Sequence, residues 1–165
     1  HPPIFCIVNA LIISQKINIV YTGSIYENKM DPSPLFIALA ANKDLQNNVV
    51  LNFYGNSSNF ISDLSKKYNL ELMVKIHDLV PRSEILNIQK KADILLLLTW
   101  NSPKEKGILT GKFFEYIASG NAILSIGAFK DTPSEIVVED KFGIATNDPE
   151  EITKFINSYY YWDVF

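Results

Sequence analysis

The stretch Asp93–Thr99 reads DILLLLT, an unbroken aliphatic run of strand length. A strand with one wet face alternates apolar and polar residues; this one does not, so both of its faces must be covered. That condition is met in parallel sheets sandwiched between two layers of helices. Few other folds can take such a strand without exposing it.

The rest of the sequence supplies the partners. Ile17–Gly23 (INIVYTG) and Val49–Gly55 (VVLNFYG) are β-rich runs that each end on glycine. Leu72–His77, Ala122–Gly127 and the short Gly143–Thr146 complete the set, with Ile4–Val8 as a further candidate edge. Helical stretches fill the gaps and carry start signals. Ser33-Pro34 opens one. Ser57 or Ser58 caps a second that runs to about Tyr68, and a third spans Arg82–Lys91 after Pro81. Thr132-Pro133-Ser134-Glu135 has the form of a capping box with proline at the first helical position. Asp148-Pro149-Glu150-Glu151 starts the last helix, which leads through Ile152, Phe155 and Ile156 into the aromatic cluster Tyr159–Trp162, read as packing or a contact patch. Strands alternating with helices imply parallel pairing through right-handed crossovers. The expected class is therefore α/β, Rossmann-like and doubly wound, with a mainly parallel six-stranded sheet and helices on both faces.

At 165 residues the chain is expected to form one domain over 17–165, with 1–16 as an N-terminal segment, linker or extra strand. Hydrophobic residues make up 47%, enough for a core without disulfide or metal staples. The one cysteine, Cys6, has no partner, which excludes a disulfide framework and fits a reducing, cytoplasmic compartment. The net charge of −3 argues against a dedicated nucleic-acid binder. No apolar run reaches the ~18 residues of a membrane span. The opening HPPIFCIVN lacks a signal peptide's basic region and cleavage site.

Ligands of open α/β sheets bind at the carboxyl ends of the strands. That rule selects Gly23–Lys29, Gly55–Asn59, His77–Arg82, Trp100–Lys112 and Gly127–Asp131. The most informative stretch is Thr110-Gly111-Lys112-Phe113-Phe114-Glu115-Tyr116-Ile117-Ala118-Ser119-Gly120. Thr110 stands as the N-cap, and Gly111 allows close approach to the backbone. The helix start offers free N–H groups and a positive dipole end to a phosphate. Lys112 adds a full charge. Glu115, about one turn further in, is placed to accept two hydrogen bonds from a vicinal diol such as a ribose. Gly120 ends the helix. The overlapping Gly107–Lys112 is not a P-loop: its glycines are too close together, and Phe113 stands where Ser or Thr must hold Mg²⁺. No GxGxxG occurs, so a nicotinamide dehydrogenase has no support.

The run GKFFEYIASGNAIL resembles the signature helix of retaining, two-domain (GT-B fold) glycosyltransferases of the large family 4 type. There a Lys-x-x-Glu-Tyr-x-Ala-x-Gly segment lies in the C-terminal, donor-binding domain. IVYTGSIYENK (Ile19–Lys29), LNFYG (Leu51–Gly55) and the segment Lys75–Asp93 agree with that domain in order and spacing. The resemblance covers roughly Ile17–Ile156.

The resemblance implies roles for particular residues. Glu115 matches the carboxylate that holds the donor ribose. Gly23, Ser24 and Lys29 match the first loop, which meets the diphosphate. Thr110, Gly111 and Lys112 match the phosphate end of the signature helix. His77, Asp78, Leu79 and Val80 match the segment that frames the nucleobase. One departure stands out: the earlier glutamate that often faces the transferred sugar is replaced by Gly107, with Glu105 nearby. The implied partner is a nucleoside-diphosphate sugar, UDP- or GDP-linked, with no cofactor and no required metal. The implied enzyme is a retaining hexosyltransferase of cell-surface polysaccharide synthesis. It would work in the cytoplasm at the inner face of the membrane, with peripheral membrane contact. Its acceptor domain lies N-terminal to the part seen here, so this chain alone is expected to bind the donor weakly and not to turn over. Two rivals differ in class. A sugar-nucleotide epimerase half would show more catalytic carboxylates and histidines, and a flavodoxin-like signalling module would end its first strand on paired acids rather than Tyr21-Thr22-Gly23.

Overall fold

The computed structural model describes residues 15–57, 59–101, 109–128 and 132–162. Its centre is the strand that the aliphatic run predicts. β4 (Ile94–Leu98) is buried along its whole length, with β1 (Ile17–Thr22) on one side and β5 (Ala122–Ile126) on the other. β2 (Val49–Tyr54), β3 (Val74–His77) and β6 (Gly143–Ala145) extend the sheet outward. The order is β3-β2-β1-β4-β5-β6, and every pairing is parallel. The Rossmann-like expectation holds.

Seven helices are described: α1 (Ser33–Ala40), α2 (Lys43–Asn48), α3 (Phe60–Lys67), α4 (Arg82–Lys90), α5 (Gly111–Ser119), α6 (Thr132–Glu139) and α7 (Pro149–Trp162). The two-residue period of the strands sorts their side chains between two cores. Ile17, Ile19, Tyr21, Leu51 and Phe53 pack with Leu35, Phe36 and Leu39 of α1, Ile61 and Leu64 of α3, and Ile152 and Ile156 of α7. Val20, Leu95, Leu97 and Ile123 face the other way, onto Phe113 and Tyr116 of α5 and Val137 of α6. Each fully buried aliphatic or aromatic side chain contributes about 1.5–3 kcal/mol of transfer free energy, so the sheet is held from both sides.

Several local expectations need correction. α2 is a helix beyond those expected; the Asn42 side chain starts it by accepting from the N–H groups of Asp44 and Leu45 at 3.1 and 3.2 Å. β3 begins at Val74 because Leu72 sits in a turn, 93% exposed, and the N–H groups of Met73 and Val74 bond back to Leu70. α3 is entered from Asn59 rather than capped by Ser57, while Ser58 lies outside the described residues. Thr132 is already the first residue of α6, not the residue before it. Asp148 does cap α7, accepting from Glu150 N–H at 2.9 Å. Gly120 ends α5 in the left-handed conformation at φ 75°. The Ile4–Val8 strand, Cys6 and residues 1–14 lie outside the described residues. No described helix is long and apolar enough to cross a membrane.

Candidate functional site

β1 and β4 are neighbours in the sheet, but the loops after them leave in opposite directions, one toward β2 and one toward β5. β1 stays in register with β2 as far as Thr22↔Tyr54, whereas its pairs with β4 are Ile19↔Ile94 and Val20↔Leu95. Past that point the Thr22 N–H takes the Tyr116 phenol oxygen of α5 as acceptor, at 3.1 Å. The crevice that opens here is the topological switch point at which such sheets bind ligands.

Two cavities meet in it. The larger, about 380 Å³, is bounded by Gly23, Ser24, Trp100, Thr110, Lys112 and Pro133 among others. The smaller, about 280 Å³, is bounded by Tyr54, Leu79, Val80, Arg82, Lys112 and Glu115 among others. Gly23 and Lys112 belong to both.

Backbone geometry reserves this space. Gly23 has φ +114°, and a Cβ there would lie 2.7 Å from Lys112 Nζ. Gly55 has φ +124°, and its Cβ would lie 2.5 Å from the Gly23 carbonyl oxygen. The glycines that end β1 and β2 therefore let two loops pack backbone on backbone and leave room for the lysine.

Lys112 is the first side chain inside α5, beside the positive end of the helix. Its ammonium donates to the Tyr21 phenol oxygen at 2.9 Å and lies 4.0 Å from the centre of that ring. Burial drives its pKa down to about 8, against the pull of the Glu115 carboxylate. Burial, and secondarily Tyr116 and Tyr26, hold the Tyr21 phenol far above its ordinary value, so the partner of Lys112 is neutral. A desolvated cation bonded to a neutral group is poised to take an anion. Thr110 occupies the N-cap position with extended backbone, but its side chain makes no capping hydrogen bond, contrary to the expectation.

Glu115 lies on the other side of Lys112. Its side chain is 18% exposed, and Oε1 accepts from Arg82 Nη2 at 2.6 Å. Oε2 accepts from Gln89 Nε2 at 3.2 Å, and the same amide nitrogen donates to Thr22 Oγ1 at 3.0 Å. Thr22 and Tyr116 connect this network to the sheet. The strand-end rule includes Arg82 as the last residue of His77–Arg82, but the resemblance gives neither it nor Gln89 a role. No local pattern marks Gln89.

The remaining predicted residues divide. Ser24 lines the larger cavity, and its carbonyl accepts from Tyr21 Oη at 2.8 Å. Leu79 and Val80 line the smaller one. His77 and Asp78 line neither cavity. His77 stacks on Tyr54 at 4.1 Å and pairs with Asn52 Oδ1 at 2.8 Å; partial burial, then the Lys75 charge, lower its pKa. Lys29 places its ammonium 3.8 Å from the centre of the Trp100 ring, at the edge of the larger cavity rather than in its wall. Glu105 and Gly107 lie outside the described residues. Tyr159 packs edge-on against Phe155 at 5.4 Å, far along α7 from this crevice.

No protein-family model matches the sequence, and the comparison with curated proteins gives no match. Solved structures do match in fold. WaaG, a glycosyltransferase involved in lipopolysaccharide biosynthesis, superposes with a TM-score of 0.68 at 17% identity over 92% of this chain and 40% of its own. HepE of Anabaena, solved with UDP-glucose, gives 0.66 at 16% identity over 93% and 41%. The C-terminal domain of LpcC, a group 1 glycosyl transferase of Francisella tularensis, gives 0.62 at 18% identity over 91% and 78%. The chain thus spans about two fifths of WaaG and HepE and most of the isolated C-terminal domain.

Proposed function

We propose that this chain is the donor-binding domain of a two-domain glycosyltransferase that moves a sugar from a nucleoside diphosphate to an acceptor. The observation that carries the reading is the placement of Lys112 and Glu115 on one helix face. The cation stands at the junction of two cavities, and the carboxylate looks into the smaller. In this arrangement the base lies against Leu79 and Val80 and the ribose diol bonds Glu115. The diphosphate sits between Gly23 and Lys112 at the start of α5, and the sugar extends into the larger cavity.

The chemistry follows from that order. Breaking the sugar–phosphate bond builds negative charge on the departing diphosphate. Lys112 and the α5 N–H groups are preorganised donors for that charge, held in place before the reaction starts. No protein nucleophile or metal is required by this scheme. The residues 17–165 form the donor domain, and an N-terminal domain outside this chain completes the acceptor site, so the chain alone binds donor without turnover. A retaining hexosyltransferase of cell-surface glycan synthesis, acting in the cytoplasm at the membrane face, is the setting we assign to it by fold-level analogy.

Thermal unfolding in the presence of a panel of UDP- and GDP-sugars tests the reading. One series should raise the midpoint of the wild-type chain, and Glu115→Ala should lose most of the shift. A folded chain that no nucleotide sugar stabilises would refute it.

A further inference from the structure

Glu115 has two oxygens and two protein partners, and these partners differ in kind. Arg82 is the first residue of α4, and its side chain is 80% exposed. Gln89 lies about two turns further along the same helix and is 1% exposed. The Gln89 amide hydrogens are both committed, one to Thr22 Oγ1 and one to Glu115 Oε2. Its oxygen, Oε1, is buried with no hydrogen-bond partner. Turning the amide over would not repair this, because the oxygen would then face the carboxylate.

The backbone of Gln89 is pinned as well. Asn121, just past the end of α5, donates through Nδ2 to the carbonyls of Gln89 and Lys90 at 2.8 and 3.0 Å. The helix that carries Gln89 and the helix that carries Glu115 are thus tied at their ends. An apolar side chain of the same shape would avoid the orphaned oxygen, but it would leave Thr22 Oγ1 and Glu115 Oε2 without this donor. A buried polar group kept at such a cost is the kind of local inconsistency found where function requires it.

We propose that Gln89 is the positioning residue of the nucleotide site: its buried amide fixes Glu115 Oε2, leaving Oε1 toward the cleft. There the Arg82 guanidinium is an exchangeable partner that a ribose diol replaces. Arg82 satisfies the carboxylate while the site is empty and swings out into solvent on binding. Gln89 does not move. The inference rests on the proposed function for its ligand, but the placement of Glu115 can be tested without one.

The test uses Gln89→Met, which keeps the shape and removes the amide, and Gln89→Glu, which keeps the shape and replaces the donors with a carboxyl group. In the free chain, side-chain carbon relaxation and couplings at Glu115 report whether it holds one rotamer. Wild type is expected to hold one, and Gln89→Met several. For the ligand arm, UDP and GDP are titrated beside their 2′,3′-dideoxy forms. Gln89→Met should weaken the ribose form about tenfold and leave the dideoxy form unchanged, compressing the preference. Gln89→Glu should bind weakly at pH 8 and recover toward pH 5, where the introduced carboxyl shares a proton with Glu115 and regains a donor.

A Glu115 side chain that stays in one rotamer in Gln89→Met overturns the proposal, as does equal loss of ribose and dideoxy binding. Should Gln89→Met not fold, the pH profile of Gln89→Glu decides, and a flat profile overturns the proposal. If wild type binds neither UDP nor GDP while Glu115 is released in Gln89→Met, the donor-site reading falls and the positioning role stands.

Discussion

Lys112 makes the strongest quantitative demand on the proposed site. In the free protein its pKa lies at about 8, lowered by burial. A bound diphosphate supplies the counter-charge that Tyr21 does not, so binding should raise that value. From pH 7 to pH 9 the charged fraction of the free lysine falls from about nine tenths to about one tenth. If the bound form stays protonated throughout, affinity for UDP should fall about tenfold over this range, a change of about 1.4 kcal/mol. Binding at pH 9 should also take up nearly one proton from buffer. Calorimetric titration with UDP at pH 7, 8 and 9, in two buffers of different ionisation enthalpy, measures both quantities. The same series on Lys112→Met supplies the baseline and cancels any titration of the nucleobase; that variant should bind weakly with no steep pH dependence. Affinity that is flat from pH 7 to pH 9, with no proton uptake, would refute the placement of the diphosphate on Lys112.

Three further outcomes follow from the same geometry. Gly23→Ala combines φ +114° with a Cβ at 2.7 Å from Lys112 Nζ, so it should lower unfolding stability by about 1–3 kcal/mol and weaken UDP binding, as read by urea denaturation and calorimetry. Tyr116→Phe leaves the buried Thr22 N–H without its acceptor and should cost about 1–3 kcal/mol in urea denaturation. The folded chain holds Lys112 below its unfolded value of 10.5, so the unfolded state binds more protons between about pH 8 and 10.5. Stability from this group must rise with pH across that window, and Lys112→Met should flatten the rise in urea titrations at pH 7.5–9.5. Above pH 10 the sign reverses, because Tyr116 is pushed up to about 12 by burial and its contribution is lost as the phenol ionises.

How the fold can be read from sequence is clearest at β4. Its run of leucines has no polar residue to give to solvent, so the parallel, doubly covered sheet follows from composition and length alone. The strand-ending glycines and the Gly120 stop are legible for the same local reason: left-handed backbone selects glycine. The amino end of α5 stands out likewise, since Thr110-Gly111-Lys112 brings an open glycine, a helix dipole and a charge into one turn. The short helix after α1 has no such signal, because Lys43–Asn48 carries only one buried apolar residue, Leu45, and its start depends on the Asn42 side chain.

Pairings across the crevice could not be read this way. The sequence by itself determined the sheet, the end of it where the cavities lie, and the two residues of α5, Lys112 and Glu115, that line them. Only the tertiary structure decided that Arg82 and Gln89, on a helix that follows a different strand, close on Glu115. It also decided that Lys112 meets a neutral Tyr21 rather than an acid, that Lys29 rests on Trp100, and that His77 stacks on Tyr54 instead of facing the cavity. Local patterns fix which face of an element is buried. Which side chains then meet depends on strand order, and that is settled by how all the crossovers pack together.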